Sequence, residues 1–299
     1  MLRNLKVSRT PVETSPESLG WAVTTRLRFL EEQAWWTGGV NRRDIVERFG
    51  ISEQQASGDF TRYQELAPAN LAYDKSGKTY RTTAEFKPLF FEPDSAETLG
   101  QFRLIAENVI PPDALTEGVT AAIAGSIARP VDPGLLRIVL QAIREHRRMS
   151  AFYVSLTSPD GKMRTIEPHA IVFDGFRWHA RAFDVEASGW RDFVLGRLSR
   201  ASLLEARSEM TAADDADWLD MVQLTIAANP GLSPAQRRLI ERDYGMHRGK
   251  LVITVRKALQ FYTKLRLGLD LDGKARSPED QHIVLIEERA VSAAKALPK

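Results

Sequence analysis

Near the middle of the chain, Phe176 to Phe183 read Phe-Arg-Trp-His-Ala-Arg-Ala-Phe. Side chains on a strand alternate between two faces, so Arg177, His179 and Arg181 share one side and Phe176, Trp178, Ala180 and Ala182 the other. The first set is two guanidinium groups around an imidazole, spaced to meet an anion. The second set is what a small barrel packs inside. Asp174-Gly175, between Phe173 and Phe176, is a strong hairpin signal, because a type I′ turn needs both central residues at positive φ. Nearer the front, Gln54, Gln55, Ser57, Gly58, Thr61 and Arg62 fall on the outer face of one helical stretch. Amide and guanidinium groups there can bond base edges in a major groove, and hydroxyls can bond bases or phosphates.

The elements that must position the front set follow from local spacing. Val23, Leu27, Leu30 and Ala34 recur at helical intervals after Ser15-Pro16, a helix-start pattern, and Trp35 to Gly39 stop that helix. A second helix runs from about Asn41 to Phe49, with Ile45 and Phe49 inward and Gly50 placed for a left-handed cap. Ser52 caps a third helix through about Leu66, whose buried stripe is Ala56, Phe60 and Tyr63. Short helix, glycine turn and capped helix make a helix-turn-helix. Leu71 to Tyr73 and Thr79 to Arg81 flank Asp74 to Lys78 as a small hairpin, a wing that lays Lys75 and Lys78 against phosphate. The expected DNA contacts are Ser52, Gln54, Gln55, Ser57, Thr61 and Arg62 on the helix, with Lys75 and Lys78 on the wing.

Residues 86 to 133 read as connective, with a helix from Asp94 to Ile110, a stop at Pro111-Pro112 and a small alanine-rich segment. A helix restarts at Gly134, with Leu135, Ile138, Val139, Ala142 and Ile143 on one face. Strands then dominate. Ala151 to Leu156 is one, Ser158 to Gly161 a turn, and Lys162 to Phe173 a strand interrupted near Pro168. Asp192 to Leu198 is another, and short strands with tight turns fit an SH3-like barrel. From about Asp214 the pattern changes to strand Met221 to Ala227, a capping-box helix from Ser233 to near Gly245, and strand Lys250 to Arg256. A helix to about Leu267 and strand His282 to Glu287 complete a small α+β unit. The expected class is α+β and multidomain, divided at 1–90, 91–148, 149–208 and 209–299.

The 299 residues are 43% hydrophobic and 27% charged, with net charge +2, which is ordinary globular composition. There is no cysteine, which excludes disulfides, thiolate zinc sites and a cysteine nucleophile. The first residues lack the apolar core of a signal peptide, and no apolar run approaches a membrane span. A cytoplasmic protein without membrane partner, cofactor or metal site is the expectation.

Several segments together resemble a known family. Tyr153-Val154-Ser155, Glu167-Pro168-His169, Arg177 to Phe183 and Phe193 to Arg197 are similar to the WYL-domain transcriptional regulators, with the signature triad at Trp178-His179-Ala180 keeping only its tryptophan. The variant resembles the subgroup found beside bacterial anti-phage systems of the BREX and CBASS kinds. That resemblance covers nearly the whole chain. It implies a winged helix-turn-helix, a central SH3/Sm-like WYL β-barrel and a C-terminal extension that contributes to dimer contacts. It also implies a pocket for a nucleotide-like or nucleic-acid ligand, formed by Tyr153, Ser155, His169, Arg181 and Arg197, with His179 beside them. Counting back across an unbroken hairpin puts His169 on the Trp178 face, so only a bulge or bend near Pro168 brings it round to Arg181.

The function these readings favour is a homodimeric, ligand-responsive repressor of a phage-defence operon, reading a pseudo-palindromic double-stranded operator and released by a nucleotide or oligonucleotide effector. Two rivals are a constitutive DNA-binding protein whose WYL domain recruits a partner, and a nucleic-acid-processing enzyme using His169 or His179 as base. No glycine-rich phosphate loop, nucleophile motif or metal-ligand spacing supports the enzyme.

Overall fold

The computed structural model describes residues 19–112, 119–125, 129–270 and 275–291. The chain forms two compact units, Met1–Ile127 and Ala128–Lys299. In the first, α1 (Trp21–Thr37) ends on Gly38, which takes the left-handed conformation. The Ser15-Pro16 start signal lies outside the described residues, and Gly20 stands at the cap position instead. A short strand β1 (Gly39–Val40) leads to α2 (Arg42–Phe49), which opens on an Asn41–Asp44 capping box and closes on left-handed Gly50. Then comes α3 (Glu53–Leu66), opened by a Ser52–Gln55 capping box. The hairpin β2 (Leu71–Asp74) and β3 (Thr79–Thr82) pairs as the sequence suggests, and β1 adds to β3.

Two buried carboxylates hold this unit's geometry. Asp59 of α3 receives Nε and Nη2 of Arg26 at 2.6 and 3.1 Å, tying α3 to α1. Glu31 of α1 accepts from the Tyr63 hydroxyl at 2.7 Å and from the backbone N–H groups of Leu89 and Phe90. Phe60 stacks on Tyr80 at 4.3 Å, fixing the wing against α3. The Asp94-capped helix α4 (Ser95–Ala106) ends four residues before the expected Ile110, just ahead of Asn108 at positive φ. Part of the alanine-rich segment, 113–118, lies outside the described residues.

The second unit begins with α5 (Pro133–Glu145), followed by β4 (Arg147–Ser155), β5 (Ser158–Phe173), β6 (Trp178–Asp184), β7 (Gly189–Val194) and β8 (Leu198–Arg207). They form an antiparallel sheet in the order β7-β6-β5-β4-β8. Leu135, Val139 and Ala142 of α5 share one core with Met149, Ala151, Ile166, Ala180, Ala182 and Phe193, so this helix packs with the sheet. The strands expected to make an SH3-like barrel are seen, among the described residues, as an open five-stranded sheet. A 3-10 turn, Leu195–Arg197, brings the two edges together at one end, but among the described residues no ladder joins β7 to β8. That turn also interrupts the strand expected over Asp192 to Leu198.

Three further expectations change. The turn between β4 and β5 falls at Leu156-Thr157, and the Ser158 to Gly161 stretch already belongs to β5. The β5–β6 hairpin turns on Gly175 and Phe176, not Asp174-Gly175. Phe173 pairs with Trp178 and only Gly175 has positive φ, at 100°. Asp174 instead accepts the N–H groups of Phe176 and Arg177 at 2.7 and 2.8 Å, a side-chain turn of the kind aspartate favours. Finally, Phe176 and Trp178 are 62% and 48% exposed. The core against α5 reaches Ala180 and stops, because the hairpin tip projects beyond it.

The chain continues through α6 (Ala216–Leu219), β9 (Met221–Ala228), α7 (Pro234–Asp243), β10 (Leu251–Arg256), α8 (Gln260–Arg266) and β11 (Ile283–Val291). The three strands make a second antiparallel sheet in the order β10-β9-β11, the α+β unit anticipated above.

Candidate functional site

Two sets of side chains could do chemistry. On α3 the outer face carries exposed Gln54, Thr61 and Arg62, and Arg62 makes no ion pair with the described residues. Ser52 and Gln55 are partly committed, since each side chain bonds the other's backbone N–H at 3.2 Å. The hydroxyls of Ser57 and Thr61 donate to the carbonyls one turn back, at 2.8 and 3.0 Å, leaving their lone pairs available. Gly58 sits among them with none of the described residues within 4 Å of where a Cβ would be. A helix-interior glycine destabilises by about 1 kcal/mol relative to alanine, so no internal packing explains it. On the wing, Lys75 and Lys78 are exposed. Asp74 orders the tip by accepting from Ser76 and Gly77 N–H at 2.9 and 3.2 Å.

The second set lines a cavity of about 430 Å³ along the WYL-type sheet. Tyr153 and Ser155 of the expected ligand set lie on its wall, as does Arg181. Lys162, Arg164 and Arg191, not anticipated from the sequence, add three more cations, against Asp184 and Asp192. Lys162 pairs directly across from Tyr153. Four consecutive residues of β7, Trp190 to Phe193, line the cavity. Because successive side chains point to opposite faces, the cavity wraps the sheet edge. Arg164 and Arg191 both approach Asp184, at 3.1 and 3.5 Å.

Arg181 does meet an anion, but an internal one. Its Nε and Nη2 grip Asp215 at 2.7 and 3.0 Å, and its Nη1 reaches Asp192 at 3.3 Å. Asp215 caps α6 and is fully buried. Burial by itself raises its carboxyl, yet the bonds from Arg181 and His169 bring it below the ordinary aspartate value. His169 comes round to this face because the β5–β6 register slips by one residue between Pro168 and Ala170, the bulge the hairpin count required. Its Nε2 lies 3.1 Å from Asp215, and its ring sits edge-on between Trp190 and Trp218. Burial pulls its pKa down, with the Asp215 carboxylate opposing.

His179 and Arg197 stand apart from the cavity wall. His179 is buried against the ring of Tyr262 at 5.2 Å, with Asp174 at 3.7 Å, too far for a hydrogen bond. Burial lowers its pKa, with Asp174 opposing. Arg197, in the 3-10 turn, makes no ion pair with the described residues and does not line this cavity. Besides Lys162, Arg164 and Arg191, sequence reasoning also missed Asp184, Trp190, Asp192, Asp215 and Tyr262. Tyr262 lines the cavity from α8 and donates its hydroxyl to Asp192 at 2.9 Å. Asp215 carried only an N-cap signal, and Tyr262 none.

Comparison with known proteins fits this anatomy. The BrxR transcriptional regulator winged helix-turn-helix domain matches residues 22–104, the WYL domain 134–203, and the BrxR transcriptional regulator C-terminal dimerization domain 221–291. Winged helix, WYL sheet and dimerization domain in one chain define a WYL-domain transcriptional regulator. The DNA-binding transcriptional repressor CapW of Stenotrophomonas maltophilia is 33% identical over 267 residues, 89% of each chain. CapW of Pseudomonas aeruginosa is 35% identical over 276 residues, 90% of this chain and 92% of that one. CapW of Escherichia coli (strain KTE188) is 34% identical over 270 residues, 89% of each. The chain belongs to this BrxR and CapW family of regulators, which are not enzymes. Among the described residues no helix is long and apolar enough to cross a membrane.

Proposed function

We propose that the protein is a homodimeric DNA-binding repressor of a phage-defence operon, released from its operator by a nucleotide or oligonucleotide that enters the WYL cavity. The winged helix, the dimerization domain and the CapW relatives support the DNA-binding and dimeric parts. Two α3 helices related by the dimer axis would read the halves of a pseudo-palindromic site. The sensing part rests on one observation, the cavity wall, where Lys162, Arg164, Arg181 and Arg191 outnumber Asp184 and Asp192. That excess of guanidinium and ammonium suits a phosphodiester, and Tyr153 and Trp190 offer ring faces for a base.

Release requires the effector to bind the operator-free arrangement more tightly than the operator-bound one. The test is operator affinity of the full-length dimer, measured with and without short single-stranded DNA and cyclic oligonucleotides. A fall in affinity with one of them, abolished by Lys162→Ala, supports sensing. Affinity unchanged by any of them favours constitutive binding with the WYL domain recruiting a partner.

A further inference from the structure

We propose that Asp192 and Tyr262 form a relay through which an anion in the cavity acts on the dimerization domain. The idea rests on the sensing reading above and names how that site would be coupled to the rest of the dimer.

The helix α8 lies within the segment matching the dimerization domain. On one side it is tied to the WYL sheet. The Tyr262 hydroxyl bonds Oδ2 of Asp192 at 2.9 Å, its ring packs on His179, and Arg266 covers Gly175, where an added Cβ would stand 3.1 Å from Arg266 Cδ. On its other side, Lys264 and Gln260 bond Glu288 of β11, within the three-stranded sheet. Helix α8 thus bridges the cavity wall and the dimerization sheet.

Asp192 is the link between that bridge and the cavity's guanidinium. Its Oδ1 takes Nη1 of Arg181 at 3.3 Å, while its Oδ2 takes Tyr262. Arg181 makes three such contacts, and this one is the longest; the other two hold buried Asp215 at 2.7 and 3.0 Å. An incoming phosphodiester therefore displaces the weakest contact first. Arg181 keeps Asp215 and donates its Nη1–H to the ligand in place of Asp192, and Asp192, repelled by the second negative charge, swings away from Tyr262. Alternatively the Tyr262 hydroxyl donates to the ligand directly. Both routes break the Asp192–Tyr262 bond and free α8 on its sheet-facing side.

The test needs no identified effector. Asp192→Ala removes the acceptor that joins Arg181 to Tyr262, and Tyr262→Phe removes the same bond from the other end. In the full-length dimer without ligand, each should weaken operator binding about tenfold, although both residues lie outside the DNA-binding unit. The double variant should be no weaker than either single one, because both break one link. Backbone amides of α8 should exchange with deuterium faster in all three, and the melting transition should remain cooperative.

Faster α8 exchange with operator affinity unchanged would make the pair a local strut and overturn the relay. Additive losses in the double variant would also overturn it. If the variants behave as expected but no short single-stranded DNA or cyclic oligonucleotide shifts wild-type operator affinity, the relay stands and the sensing reading fails.

Discussion

The outer face of α3 and the wall of the WYL cavity carry the same kinds of groups in opposite states. On α3, Arg62, Gln54 and Thr61 are exposed, Arg62 is unpaired among the described residues, and Gly58 leaves a gap that none of the described residues fills. In the cavity, Arg181 is 7% exposed at its side chain and already held by two carboxylates. Groups that must contact a long, external polyanion stay open, since desolvation and internal pairing would only oppose that contact. The cavity groups are already satisfied, so under the proposed sensing a ligand would act by replacing a partner. On the proposed reading the first arrangement would supply affinity, and the second a difference between two states.

Breaking the buried side of this contrast should have the largest effect. Arg181→Ala leaves the fully buried Asp215 carboxylate without its main partner, and should destabilise the second unit by about 3–5 kcal/mol in chemical denaturation. It is therefore a poor test of ligand binding, although from the sequence alone it was the natural one. On the open side, Arg62→Ala should reduce operator affinity by about 1–3 kcal/mol and relax sequence preference, with stability changed by no more than about 0.5 kcal/mol. Stability loss together with affinity loss would mean that this face is structural.

Gly58→Ala sharpens the contrast further. It should raise thermal stability by about 0.5–1 kcal/mol while weakening operator binding, which direct titration would detect; gain in both would show that no partner approaches there. At the wing, Lys78→Asn suits the positive φ of 48°. It should weaken binding to all DNA sequences alike and lower the salt dependence by about one unit of slope.

The smallest effect is in pH. Burial depresses the pKa of both His169 and His179 in the folded protein. The unfolded chain then binds more protons than the folded one, so stability rises with pH through this window. The contribution is complete above the ordinary histidine value near 6.5 and is lost as pH falls below it toward the folded pKa. His169→Gln should flatten that slope in denaturation curves below about pH 6.5, and an unchanged slope would remove His169 from the explanation.

The helix-turn-helix was legible because its determinants are local. Asn41 and Ser52 cap, Gly50 closes, and Ala56, Phe60 and Tyr63 recur at helical spacing, all within a turn or two of chain. Strand positions and the small C-terminal unit followed from the same kind of short-range pattern, and the alternation that joined Arg181 to His179 was also in the sequence. What that alternation met was not. Asp215 lies 34 residues beyond Arg181, and Tyr262 lies 70 beyond Asp192. A one-residue slip at Pro168 swung His169 to their side, and the core's limit at Ala180 exposed Trp178 and Phe176. Caps and periodicity act between neighbours, whereas ion pairs, sheet register and burial depend on which distant segments pack together, and only the folded chain decides that.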